Sequence, residues 1–219
     1  MISHSKKFIF VHIPKTAGTS IMSVFGRHAI TLQGHRNFDS LYFKHAYARD
    51  IARWMGDEFQ RYFRFSVVRD PWDWVASNYA FNRGLHRPYT RGTEYDISPS
   101  VPDWAAEWSF DTWLPWWLST FQPSQRALLL DEQGQSLVQT IIRFEDLGKE
   151  FPSLCRRCGL WPRRLPRVNR TANRQKKAHY YSAESYQLVA EHFAEDIRLF
   201  GYTALDWKDF QQAASAAEG

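Results

Sequence analysis

A short apolar run that breaks into a turn rich in lysine and hydroxyls constrains this chain most: Phe8 to Met22 reads FIFVHIPKTAGTSIM. The pattern predicts a buried strand, a short loop through Pro14, and a helix that starts near Ser20. A helix start presents backbone N–H groups and the positive end of its dipole, which together make an anion site. Lys15 adds a full positive charge, Thr16, Thr19 and Ser20 add hydroxyls, and Gly18 permits close approach of the backbone. The segment therefore reads as a phosphate cradle, against the alternative of an ordinary turn with a solvated lysine. It does not match the nucleotide-binding loop GxxxxGK[ST], because its lysine precedes the glycine and its loop is shorter.

A second segment, VVRDPWDWVASNY from Val67 to Tyr79, has the same strand-to-helix grammar. Arg69 falls at the strand end, Pro71 suits the first turn of the following helix, and Ser77 lies further along it. A guanidinium offers a fixed fork of donors that suits a phosphate; the competing reading is a structural Arg69–Asp70 pair. Two separate phosphate sites favour a nucleotide phosphorylated twice at distant positions over ATP.

HIPKTAGTS resembles the 5′-phosphosulfate loop of the carbohydrate sulfotransferases of the heparan 2-O- and chondroitin type and their small bacterial relatives. These enzymes use 3′-phosphoadenosine 5′-phosphosulfate (PAPS). The second segment resembles that family's RDPxxRxxSxY pattern, which holds the 3′-phosphate; Arg69, Asp70, Pro71, Ser77 and Tyr79 match. It departs at Trp74, where animal members carry arginine, and that departure reads as altered packing or a lost ion pair. The resemblance runs from Phe8 to about Tyr202 and is specific only in the two phosphate segments. It implies that Lys15, Thr16, Ala17, Gly18, Thr19 and Ser20 hold the 5′-phosphate and that Lys15 stabilises the leaving phosphate. It further implies that Arg69 and Ser77 hold the 3′-phosphate.

The transfer needs a base. His45, in FKHAYA, lies between the two phosphate segments at a helix start, where the family places its catalytic histidine, and imidazole accepts protons near neutrality. His12 reads as a strand residue pointing into structure; His28 and His35 read as surface loop. PRVNRTANRQKK, Pro166 to Lys177, resembles the family's closing C-terminal loop and nominates Arg170 as a phosphate or acceptor contact, against the alternative of a solvated basic loop. IIRFEDL, Ile141 to Leu147, reads as a strand leading into a helix capped by Glu145 or Asp146.

Further along, RALLLDEQGQSLVQTIIRF reads as a hairpin turning through Asp131 to Gly134. A last amphipathic helix is expected from Ala183 to Phe200, and AASAAEG as a frayed tail. Strands alternating with helices imply an α/β fold with a mainly parallel central sheet and a strand–loop–helix resembling a P-loop. Residues 1–210 form one expected domain and 211–219 a tail. The chain has 219 residues and formal charge +5, which suits an anionic ligand without selecting one. Cys155 and Cys158 stand in CxxC spacing, yet no second Cys or His pair completes a metal site, so they read as plain helix residues. With no signal segment or spanning run, a cytoplasmic bacterial location is expected.

The sequence thus predicts a sulfotransferase that moves a sulfuryl group from PAPS to a hydroxyl of a carbohydrate or glycan, with no metal, nucleic acid or membrane span involved. The alternatives are a nucleotide-dependent small-molecule kinase and a basic nucleic-acid-binding module.

Overall fold

Phe8–Val11 is apolar at every position, the mark of a strand covered on both faces, and it forms β2 with each residue fully buried. The structure is a computed structural model that describes residues 1–29, 45–84, 107–166, 168 and 179–216. A two-residue strand β1 (Ile2–Ser3) pairs antiparallel with β2. β3 (Phe63–Val68) and β4 (Thr140–Arg143) follow in parallel, giving the sheet order β1-β2-β3-β4. The expected α/β sheet, mainly parallel and flanked by helices, is therefore present.

The chain divides into two compact units. The first comprises Met1–Arg69 and Gln125–Arg170 and holds the sheet. Helices α1 (Gly18–Phe25) and α5 (Leu147–Arg157) bury Ile21, Val24, Phe25, Phe151 and Leu154 among Phe8, Phe10, Phe65 and Val67 of the strands. Phe25 stacks on Phe151 with ring centroids 5.6 Å apart. The same unit holds α2 (Ala48–Met55), which starts three residues after His45 rather than at it.

The second unit comprises Asp70–Ser124 and Thr171–Gly219. It is helical: α3 (Pro71–Gly84), α4 (Phe110–Phe121), α6 (Ala183–His192), α7 (Ala194–Phe200) and α8 (Trp207–Ala216). Its core is aromatic. Trp74 lies edge-on to Trp117 at 5.9 Å and to Phe193 at 5.8 Å, so this tryptophan serves packing.

Four local expectations are corrected. The hairpin is reduced to one antiparallel bridge, Leu130 with Ser136, because Arg126–Leu128 winds into a 3-10 turn. The last amphipathic helix is broken at Phe193, whose side chain is fully buried and whose ψ of 19° leaves the helical range. Asp146 occupies the N-cap of α5, but its carboxylate makes no capping bond; the backbone N–H groups of Lys149 and Glu150 bond its carbonyl oxygen instead. Helix α8 continues through Ala216, into the segment expected to fray. Cys155 and Cys158 are buried and unlinked at the end of α5, and burial pushes the Cys158 thiol up to about 12.

Candidate functional site

Three parallel strands end on one edge of the sheet, and ligands of parallel α/β sheets bind beyond such carboxyl ends. β2 delivers His12 to Lys15, β3 delivers Arg69, and β4 delivers Phe144. The paired ends are set by register, Val11 opposite Ser66 and Val68 opposite Arg143. Ser66 also donates its hydroxyl to the Val11 carbonyl at 2.7 Å, which fixes the place where β2 gives way to the loop.

The loop is wound tightly. Lys15 (φ 63°) and Ala17 (φ 65°) both take left-handed backbone, which costs an L-residue roughly 1–2 kcal/mol each. Specific bonds offset that cost. Thr16 is fully buried and donates its hydroxyl to the Ile13 carbonyl at 2.8 Å. The Thr16 hydroxyl thereby shapes the loop. Arg69 Nη1 donates to the Lys15 carbonyl at 2.8 Å, while its guanidinium lies over the Phe144 ring at 4.3 Å.

Ala17 is the N-cap of α1, and no side chain caps that helix end. The first-turn N–H groups at Gly18 and Thr19 are thus left to solvent or to an anion. Thr19 is exposed there. Ser20 is buried and its Oγ accepts from the Val168 N–H at 3.3 Å.

Gly18 is required for a reason the sequence reading did not give. Its φ is not left-handed, yet a Cβ built on it would overlap the His12 ring. That ring is buried, stacked on Phe10 at 5.3 Å and 4.5 Å from the ring of His45. Gly18→Ala is expected to lower folding stability by about 1–3 kcal/mol through overpacking. A urea midpoint equal to wild type would show that the ring can step aside.

His45 is half-buried, and its Nδ1 lies 3.0 Å from the His12 carbonyl oxygen. A carbonyl only accepts, so Nδ1 carries the proton and the lone pair of the neutral ring sits on Nε2. The structure therefore brings Lys15, Thr16, Ala17, Gly18, Thr19, Ser20, His45 and Arg69 together in the first unit.

Ser77 is half-buried on α3 and belongs to the second unit, where Asp70 caps that helix by accepting from the Asp73 N–H at 2.9 Å. Asp70 thus serves the helix, and Arg69 bonds the Lys15 carbonyl. Arg170 and His35 lie outside the described residues. Among the described residues, no group of His, Cys, Asp and Glu is arranged to hold a metal, and no helix is long and apolar enough to cross a membrane.

A family model described as the sulfotransferase family matches residues 1–203. The chain belongs to the sulfotransferase family. No curated protein and no solved structure matches it. This sulfotransferase carries its basic and hydroxyl groups at the carboxyl edge of a parallel sheet, a placement that suits transfer of an anionic group. Two contributors to that edge, Gln125 and Phe144, went unnoticed in the sequence. Phe144 lies inside IIRFEDL, where the strand end was a usable signal; Gln125 follows no motif and is found only through its partner across the chain.

Proposed function

We propose that the protein is a PAPS-dependent sulfotransferase acting on a hydroxyl of a carbohydrate or glycan acceptor and releasing 3′-phosphoadenosine 5′-phosphate (PAP). The observation that supports the proposal is the convergence, at one sheet edge, of an α1 N-terminus without a side-chain cap, the loop that carries Lys15, and the Arg69 guanidinium bonded to the Lys15 carbonyl. These groups fit a nucleotide that carries anionic charge at two places.

Sulfuryl transfer forms a bond from acceptor oxygen to sulfur and breaks the bond from sulfur to the bridging phosphate oxygen. His45 takes the acceptor's proton on Nε2 as that oxygen attacks. Lys15 offsets the negative charge that grows on the departing phosphate, and the N–H groups at Gly18 and Thr19 hold its remaining oxygens. Arg69 grips the 3′-phosphate through its guanidinium, and Ser77 and Arg170 complete the set by their place in the family's pattern. Positioning and electrostatics carry the rate, as in phosphoryl transfer.

Calorimetry with PAP, adenosine 5′-phosphate and magnesium ATP tests the reading. PAP is expected to bind selectively. Arg69→Ala should weaken PAP by about 10- to 100-fold, the loss of charge-assisted hydrogen bonds. Adenosine 5′-phosphate should weaken less, because it loses only the loop support that Arg69 gives Lys15. Preference for magnesium ATP would replace this reading with a kinase, and equal losses for both ligands would reduce Arg69 to a brace.

A further inference from the structure

The first unit is made of two stretches of chain, and the residues at the break are Arg69, where the chain leaves, and Gln125, where it returns. These two are bonded in both directions. The Arg69 N–H donates to Gln125 Oε1 at 2.8 Å, and Gln125 Nε2 donates to the Arg69 carbonyl at 2.7 Å. Gln125 is fully buried and Arg69 is 4 % exposed. A buried amide placed on one residue's N–H and C=O mimics a neighbouring strand, and it does so one step past the end of β3, where the ladder to β4 has run out.

Arg69 is thereby held at both backbone groups by Gln125, at its guanidinium plane by Phe144, and at Nη1 by the Lys15 carbonyl. Gln125 lies in no helix or strand, so secondary structure does not account for its place.

We propose that Gln125 is a positioning residue for the anion cradle: through the Arg69 backbone it sets where the guanidinium stands, and through the Lys15 carbonyl it holds that lysine in its left-handed conformation. This rests on the nucleotide-site reading above and extends it to a residue that touches no substrate. An exposed arginine would swing through many rotamers. One with a clamped backbone and a stacked plane holds its guanidinium in one direction, and pre-organisation of that kind raises affinity without adding a contact.

The test is Gln125→Met, which keeps the length of the side chain and removes both hydrogen bonds, with Gln125→Glu as a second variant. Amide hydrogen exchange in the protein without nucleotide is read first. Exchange over residues 13–19 is expected to quicken at least tenfold in Gln125→Met, with α5 unchanged, because loss of the clamp acts through Arg69 on the loop. PAP affinity is read next and should fall at least tenfold, with adenosine 5′-phosphate weakened less.

In Gln125→Glu the acceptor to the Arg69 N–H survives and only the donor is lost. Its deficit should shrink at low pH, where a protonated carboxyl donates again to the Arg69 carbonyl. In a double-mutant cycle, Gln125→Met should add little to Arg69→Ala, since the clamp acts only through Arg69.

A lower melting temperature with loop exchange and the ratio of PAP to adenosine 5′-phosphate affinity both unchanged would make Gln125 merely structural and overturn the proposal. So would full additivity with Arg69→Ala. If wild type bound no PAP, the nucleotide reading would fall, while the exchange measurement would still decide the role of Gln125.

Discussion

Replacing His45 with alanine is expected to slow sulfuryl transfer by about 10²–10⁴-fold, the usual contribution of a positioned general base, and to leave PAP affinity within about twofold of wild type. The expectation follows from how the ring is held. Its Nδ1–H is committed to the His12 carbonyl, so the ring cannot flip to present the other nitrogen without losing that bond. The neutral ring must then meet the acceptor with Nε2. Acid should slow the wild type, since imidazolium has no lone pair, and that acidic limb should vanish in the variant.

The measurement is PAP release with an oligosaccharide panel, using the acceptor that wild type turns over, followed against pH. A variant that retains the limb would place the base elsewhere. A variant that loses PAP binding would make His45 part of the cradle. His12 is the nearest alternative base, but its ring is pressed against Gly18 and Phe10 and is buried. An acceptor hydroxyl has no approach to a ring enclosed on those sides.

Parallel strands were legible because burial on both faces leaves a plain mark in sequence: FIFV is apolar throughout, FRFSVV is mostly apolar, and a proline turn follows each within a few residues. The strand–loop–helix around Lys15 was legible for the same reason, since a strand end, a lysine and a helix start within a few residues are a local pattern. What escaped the sequence is what distant residues decide. Arg126–Leu128 has strand-forming neighbours but winds into a 3-10 turn that leads away from Gln125, whose side chain is claimed by Arg69. Phe193 has every helical qualification, yet it breaks the last amphipathic helix, and its ring is buried against Trp74.

Gly18 could be marked as important but not why, because the ring that fills its missing Cβ comes from His12 before the loop. The tryptophans could not be sorted at all. Trp72, Trp74, Trp113 and Trp117 turn out to be buried in the second unit, whereas Trp161 in the first is 81 % exposed. All five share a composition and differ only in what packs around them.

Lys15→Ala is expected to cost sulfuryl transfer about 10²–10³-fold, the price of removing one pre-organised charge from the place where transition-state charge grows. PAP affinity should fall by less, because the charge on the departing oxygen is larger in the transition state than in the ground state. Alanine alone cannot separate the ammonium from the backbone, since Lys15 is left-handed and its conformation shapes the loop. Glycine can. Lys15→Gly removes the same ammonium but takes the left-handed conformation without steric cost, so it should be more stable than Lys15→Ala by about 1 kcal/mol. The two variants should nevertheless share one rate deficit, read under single turnover at saturating PAPS. If glycine restored much of the rate that alanine lost, the lysine would matter for the shape of the loop and the charge would have to come from Arg69. Lys15→Arg should remain slow as well: a guanidinium keeps the charge, but its planar fork is larger than an ammonium and cannot place one compact donor at the bridging oxygen.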